Sequence, residues 1–222
     1  MQITTPGFSY DADGNLTADG SHSYQYDAEG HPISIDNGST ASFAYNALGQ
    51  EAEDKWSYRL EYQYDPQGRQ VGTYSVGDGR WWDGDIPWGN RTLTRTWGWS
   101  LEHGSAVGTS TMTTAYDGSV GMDEAMYPWG QVWFYTGDVY GAYFGGLDGD
   151  PEPPQNIYPA RNRMYDNNIG RWFTPDPLGG NVADPQSLNR YSYVLNNPET
   201  FTDPSGLFEE CPDGQTNNQC NS

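Results

Sequence analysis

Positive charge is scarce in this chain of 222 residues, since 10 Lys and Arg stand against 30 Asp and Glu for a formal net charge of −20. Nucleic acids bind to basic surfaces, so nucleic acid is excluded as a predicted partner. Long hydrophobic runs are also lacking. No stretch approaches the roughly 18 apolar residues of a membrane-spanning helix, and we therefore predict no membrane insertion.

Cysteine and histidine are also rare, with two and three residues in the chain. The two cysteines, Cys211 and Cys220, have no histidine nearby and are too few for a zinc site, although they could close a small disulfide loop in an exported protein. The three histidines, His22, His31 and His103, show no ligand spacing and are interpreted as structural or exposed. We therefore predict no metal and no cofactor.

The N-terminal residues Met1 to Gly7 lack the basic and apolar regions of a signal peptide. We expect either export by another route or a chain that is the tail of a longer protein.

Aromatic residues are abundant, because 15% of the chain is Phe, Trp or Tyr although the mean hydropathy is −0.83. Acidic disordered chains lack aromatics, so this chain is predicted to fold around Tyr and Trp faces. The 28 Gly and 15 Pro residues favour frequent turns over long helices. These features predict an all-β fold.

A four-fold repeat occupies the first 75 residues. Its units are Tyr10-Asp11-Ala12-Asp13-Gly14, Tyr26-Asp27-Ala28-Glu29-Gly30, Tyr45-Asn46-Ala47-Leu48-Gly49 and Tyr64-Asp65-Pro66-Gln67-Gly68. In each unit the Tyr ends a strand, the Asp or Asn starts a turn by bonding the backbone ahead of it, and the Gly closes a bulged hairpin in the left-handed conformation. Such hairpins stack, because none can bury a face alone. The units resemble the YD repeats that build the walls of Rhs proteins, of the C subunits of insecticidal toxin complexes and of teneurins.

A second block of motifs lies between residues 161 and 207. It contains Arg161-Asn162-Arg163-Met164-Tyr165-Asp166, Gly170-Arg171-Trp172-Phe173-Thr174-Pro175-Asp176-Pro177, Asn189-Arg190-Tyr191-Ser192-Tyr193, Asn196-Asn197-Pro198 and Asp203-Pro204-Ser205-Gly206-Leu207. The series closely resembles the Rhs-repeat-associated core in motif order. The resemblance implies stacked hairpins that form part of a shell wall and are closed by a core plug.

The resemblance also implies self-cleavage after the Leu of Asp-Pro-x-Gly-Leu, here between Leu207 and Phe208, by an aspartic-protease-like pair. The matching aspartates are Asp176 and Asp203, and Arg171 matches a family arginine near the site. Two carboxyl groups that share one proton can hydrolyse an amide without a metal. The alternative is that both aspartates only start turns, as Asp-Pro often does, and that Arg171 forms a buried pair with one of them.

We predict four segments: YD-repeat hairpins at 1–80, an irregular Trp-rich β segment of the same shell at 81–154, the core at 155–207 and a short variable tail at 208–222. The four repeats, together with a degraded one at Tyr116-Asp117-Gly118, are too few to enclose a cavity alone, and the tail is too short for a toxin domain. The predicted function is a shell and plug module of a bacterial polymorphic toxin or cell-surface protein, secreted or at the cell surface. Its partners are predicted to be its own C-terminal segment or the remaining repeats of a longer shell.

Two other functions remain open. The Trp-rich segment suits a non-cleaving adhesion or carbohydrate-binding module with a cell-surface ligand, because tryptophans can form sugar-binding platforms. The chain could also be an inert remnant without a toxin. Any enzymatic activity is at most a single cut by the chain on itself.

Overall fold

The computed structural model of the chain describes residues 1–88, 91–95, 99–137, 144–147 and 157–211. Within these residues, regular structure consists of β-strands and three short 3-10 turns, Asp36–Gly38, Pro185–Leu188 and Val194–Asn196, which confirms the all-β prediction. The strands are β1 (Phe8–Tyr10), β2 (Leu16–Asp19), β3 (Tyr24–Tyr26), β4 (Pro32–Ile35), β5 (Ala41–Tyr45), β6 (Glu51–Lys55), β7 (Arg59–Tyr64), β8 (Gln70–Ser75), β9 (Arg80–Trp88), β10 (Arg91–Arg95), β11 (Trp99–Gly104), β12 (Ser110–Ala115), β13 (Val120–Met126), β14 (Val132–Gly137), β15 (Ile157–Pro159), β16 (Met164–Asp166) and β17 (Arg171–Trp172).

The predicted YD turns are present in all four units. In the second, one Asp27 carboxylate oxygen accepts bonds from the amides of Glu29 and His31, both at 2.9 Å, and Gly30 adopts a φ of 88°. Asp11, Asn46 and Asp65 accept from the amides two and four residues ahead in the same way, at 2.8–3.1 Å. The strand register shifts at the tyrosine of every unit, as a bulged hairpin requires.

The repeat tyrosines connect each hairpin to the one before it. The hydroxyl groups of Tyr26, Tyr45 and Tyr64 donate to the backbone carbonyls of Leu16, Pro32 and Glu51, at 2.7, 2.8 and 2.7 Å. Each accepting residue lies five positions after the Asp or Asn of the preceding unit. Each tyrosine therefore contacts the same position of the preceding unit, although the units are 16 or 19 residues apart.

Within the described residues, twelve strands form one antiparallel sheet in chain order from β3 to β14, so both of these strands are edges of an open sheet. Strands β1 and β2 form a separate hairpin, and β15, β16 and β17 form a three-stranded sheet that we call the plug. No helix in the described part of the chain is long and apolar enough to span a membrane.

We call strands β1 to β14 the wall. Two hydrophobic clusters join the plug to the wall, one near each end of the twelve-stranded sheet. The first cluster packs Leu16, Tyr24, Ile35, Ala41 and Phe43 of the wall against Ile157, Met164 and Phe173. The second contains Phe144, Leu147, Tyr158, Tyr165, Trp172, Tyr193, Val194 and Phe201, with Met126 and Trp129 of the wall packed against it. Most of these side chains are aromatic, as the composition predicts. The division into four segments stays a prediction, and the boundary predicted between residues 154 and 155 lies outside the described residues.

Glu124 of β13 lies near the second hydrophobic cluster, and its burial gives a testable prediction about this part of the wall. Its side chain is 3% exposed, neither carboxylate oxygen has a hydrogen-bond partner among the described residues, and burial raises its pKa to about 7 from 4.5. The folded state thus favours the protonated form, so this group lowers the free energy of unfolding as the pH rises from 4.5 through 7.

We expect Glu124→Gln to be more stable than the parent at pH 8, by up to ~3 kcal/mol, and to lose that advantage at pH 4. Urea denaturation at the two pH values measures the difference. Glu199→Gln, at an exposed position, is the control and should leave the difference between the two pH values unchanged. A Gln variant with the same relative stability at both pH values would contradict the assignment.

Candidate self-cleavage site

Asp203 is the centre of a tight turn that contains the predicted scissile bond. One of its carboxylate oxygens accepts bonds from the Ser205 hydroxyl at 3.0 Å, the Leu207 amide at 3.0 Å and the Phe208 amide at 3.1 Å. The Gly206 amide donates to the Asp203 backbone carbonyl at 3.2 Å. An aspartate at the start of a turn bonds the backbone ahead of it, so this local structure follows from the sequence. It places a carboxyl group directly at the nitrogen of the bond between Leu207 and Phe208.

Asp176 approaches the same place from a different segment. Its backbone is held by Arg190, because the Asp176 amide donates to the Arg190 carbonyl at 2.8 Å and the Arg190 Nε donates back to the Asp176 carbonyl at 2.6 Å. One carboxylate oxygen accepts from the Leu178 amide at 2.8 Å. The other oxygen turns towards Arg163.

Arg163 brings the two aspartates together. Its Nη2 atom lies 3.3 Å from a carboxylate oxygen of Asp176 and 3.4 Å from one of Asp203, and Arg163 and Asp203 side chains are each 4% exposed. The Arg163 Nε donates to the Gly206 carbonyl, and its guanidinium lies 4.4 Å from the ring centroid of Trp172. One buried cation therefore contacts both predicted catalytic residues and the backbone just before the scissile bond.

The structure places Arg171 elsewhere. Its Nη1 donates to the Met1 carbonyl at 2.8 Å, and neither predicted aspartate is among its ion-pair partners in the described residues. The described residues thus give no ion pair between Arg171 and either aspartate, and a role of Arg171 near the site stays a prediction. Arg171 is at the start of β17, where its side chain contacts the N-terminal residue. Arg163 belongs to the first core motif, where the sequence does not distinguish it from the neighbouring Arg161.

Electrostatics make the two aspartates unequal. Burial raises the pKa of Asp203 to about 6 from 3.8, and this effect exceeds the opposing influence of Arg163 and of the hydrogen bonds from Ser205, Phe208 and Leu207. Burial also lowers the pKa of Arg163, against the stabilising charges of the two aspartates. The side chain of Asp176 is more exposed, at 22%. Two carboxyl groups in different surroundings are the arrangement that separates an acid from a base.

The close contacts at position 206 require a glycine there. It has a φ of 71°, and a Cβ atom at this position would lie 3.1 Å from the Ala160 Cβ and 3.1 Å from the Arg163 amide nitrogen. Any other residue would push the turn away from Arg163. The Gly of the terminal motif thus permits the close approach of the backbone to the charged groups of the site.

The three histidines have polar partners in the wall. His22 Nδ1 lies 2.8 Å from Asp36, and His103 Nε2 lies 2.9 Å from the Thr114 hydroxyl. Asp27, Glu29 and His31 bring one potential ligand atom each within 4.8 Å of one another, a proximity that the spacing did not suggest. In that group His31 Nδ1 lies 3.2 Å from Asp27, inside a YD turn.

The start of the tail beyond the predicted cut is held to the core by a single β-bridge. The amides of Thr202 and Glu210 donate to each other's carbonyls, at 2.9 and 2.6 Å. Cys211 is 5% exposed and disulfide-bonded, while Cys220, the only other cysteine of the chain, and the rest of the tail from residue 212 lie outside the described residues.

Comparisons with known proteins agree with this architecture. Over 97 residues, 41% of the chain, the sequence is 35% identical to the toxin subunit YenC2 of Yersinia entomophaga. The Tc holotoxin pore of Photorhabdus luminescens, which carries a TccC3 mutation, matches 93% of this chain with a TM-score of 0.69 and 18% identity. A crystal structure of TcdB2-TccC3-TEV matches 89% with a TM-score of 0.66 and 18% identity. No family profile matches the chain.

The fold is that of an Rhs-repeat shell protein, as the YD units and the core motifs predicted. More narrowly, part of its sequence is similar to a Tc toxin subunit, and its fold is similar to that of a Tc holotoxin component. It spans 9% of the length of YenC2 and 11% of the length of the two matched structures.

The contributions of Arg163 and Arg171 to the free energy of unfolding can be compared by substituting each of them. We expect Arg163→Met to lower the free energy of unfolding by ~3–5 kcal/mol, because it leaves two carboxylates without their buried cation. Arg171→Met should cost less than ~1 kcal/mol, since it removes a partly exposed contact. Urea denaturation at pH 7 measures both, and similar losses in the two variants would contradict the central place of Arg163.

Proposed function

We propose that the chain is the C-terminal shell and plug module of a bacterial Rhs-type polymorphic toxin or cell-surface protein, and that it cleaves its own backbone after Leu207. The supporting observation is the position of the Arg163 guanidinium, which contacts Asp176 and Asp203 while Asp203 also contacts the Phe208 amide. The protein would be secreted or displayed at the cell surface. Its partners would be the remaining repeats of a longer shell and its own segment after Leu207.

The chemistry divides between the two aspartates. Asp176, the more exposed carboxylate, takes a proton from water, and the water oxygen attacks the carbonyl carbon of Leu207. Asp203, whose carboxyl lies 3.1 Å from the Phe208 nitrogen, gives that nitrogen a proton as the C–N bond breaks. The products are a Leu207 carboxylic acid and a Phe208 amine, with Asp176 left protonated and Asp203 ionised. The acid then passes its proton to the amine, so one water molecule is consumed overall and no metal is needed.

Burial of Asp203 suits this role. Its pKa of about 6 keeps a large fraction of the carboxyl protonated in mildly acidic solution, where an ordinary aspartate is ionised. The reaction is also intramolecular, so the substrate is already at the site and much of the entropic barrier is absent. Cleavage should therefore be faster at pH 5 than at pH 8.

Intact mass after overnight incubation tests the proposal. We expect the parent to lose residues 208–222, more completely at pH 5 than at pH 8, and Asp176→Asn and Asp203→Asn to stay whole. Asp184→Asn is the matched control, because Asp184 also precedes a proline but caps the turn at Pro185–Leu188, outside the site. It should be cleaved like the parent.

The position of the cut separates enzymatic cleavage from acid hydrolysis. Acid-labile Asp-Pro bonds would break after Asp65, Asp150, Asp176, Asp184 or Asp203, and fragments of those masses would not support a self-cleaving site. A parent that stays whole at both pH values would sink the cleavage proposal and leave a structural plug.

A second candidate, a binding module for carbohydrate or another cell-surface ligand, has support from exposed tryptophans. Trp81, Trp99 and Trp133 are 57%, 43% and 70% exposed on the wall. Such a module predicts quenching of tryptophan fluorescence by a soluble glycan, without any cleavage. The inert remnant predicts no cooperative thermal unfolding of the isolated chain.

A further inference from the structure

The carbonyl of Ser205 receives two hydrogen bonds from a single residue. The Asn162 amide nitrogen donates to it at 3.1 Å, and the Asn162 side-chain nitrogen Nδ2 donates at 2.8 Å. Asn162 lies in the turn between β15 and β16, which the Ala160 amide closes by donating to the Arg163 carbonyl at 2.8 Å. The turn of the β15–β16 hairpin therefore binds the Ser205 carbonyl, two peptide units before the predicted cut.

Further hydrogen bonds hold the residues that follow Ser205. The next carbonyl, that of Gly206, accepts from Arg163 Nε, and the amides of Leu207 and Phe208 donate to Asp203. Main-chain hydrogen bonds on both sides hold a bound peptide in register. The two donors of Asn162 and the guanidinium of Arg163 thus act on neighbouring carbonyls, while Asp203 acts on the amides that follow.

We propose that Asn162 is a positioning residue for the self-cleavage, whose side chain fixes the Ser205–Gly206 peptide plane and so sets the scissile carbonyl against the two aspartates. The inference rests on the proposed function and deepens it. Two donors converging on one oxygen restrict rotation of that plane more than one donor does. The restriction matters at this position because Gly206, with its φ of 71°, follows directly and is the most easily rotated residue of the segment.

The side chain can be removed without removing the fold. The backbone donor of Asn162 and the Arg163 contacts remain in an Ala variant, so the hairpin keeps its connection to the terminal turn. Misplacement of a reacting group by about 1 Å can slow a reaction by about 100-fold. Loss of one of several restraints is expected to slow cleavage by about 10-fold.

The experiment follows self-cleavage of the full chain as a first-order rate between pH 4.5 and pH 8. We expect Asn162→Ala to lower the rate about 10-fold at every pH without moving the pH midpoint, and without changing the thermal melting temperature. Asn162→Gln, which keeps an amide donor, should recover part of the rate. Gln63→Ala, at an exposed position on β7, is the control for loss of an amide side chain and should cleave like the parent.

A second measurement separates failure of this inference from failure of the proposed function. In the Asp176→Asn background, amide hydrogen exchange at Leu207 and Phe208 should become at least several-fold faster when Asn162→Ala is added. An unchanged exchange rate, an Ala variant that cleaves at the parental rate, or a rate that falls only in step with melting would overturn the role of Asn162. Faster exchange in a chain whose parent never cleaves would overturn the cleavage itself while upholding the restraint.

Discussion

A single buried guanidinium organises the plug. Arg163 is removed from water, so each of its donors has to find an acceptor inside the protein. Its Nε meets the Gly206 carbonyl, its Nη1 meets the Arg190 carbonyl at 3.3 Å, and its Nη2 meets Asp176 and Asp203. The acceptors come from three separate segments of the core. The requirement to satisfy one cation thus explains why motifs that are 13 to 43 residues from Arg163 in sequence converge on one small volume.

This convergence depends in turn on the wall. The Phe173 carbonyl, three residues before Asp176, accepts from the Leu16 amide at 2.9 Å, and the ring of Phe173 lies 4.7 Å from that of Tyr24. The Tyr191 hydroxyl donates to the Gly14 carbonyl at 2.7 Å. The first two hairpins therefore hold the segments on both sides of Asp176. The site is a property of the shell and plug together, because the plug sheet has only three short strands and no other large sheet to pack against in the described residues.

The sequence predicted the local structure well, because its signals are local. A Tyr-Asp pair with a Gly three residues later specifies a turn through contacts within five residues, and all four turns form as predicted. The same turn also occurs at Ser105 and Tyr127, where Gly108 and Gly130 bond back to them without a preceding Tyr-Asp pair. At Ser105 the hydroxyl accepts from the Thr109 amide at 3.2 Å, as the Asp or Asn side chain does from the amide four residues ahead in the four units. The arginine of the site is a non-local feature, and no periodicity distinguishes Arg163 from Arg171 before the core is packed.

The unequal surroundings of the aspartates give the proposed reaction a direction. Arg163 contacts both carboxylates at nearly the same distance, so it cannot decide which of them carries the proton. Burial decides, because it raises the pKa of Asp203 in spite of three hydrogen-bond donors on that carboxyl. Once Asp203 has given up its proton, it is a buried carboxylate beside both Arg163 and the new amine of Phe208. That amine is protonated at neutral pH and adds a second positive charge, beside that of Arg163, next to the buried carboxylate, which in the proposed reaction would favour the cleaved state over religation.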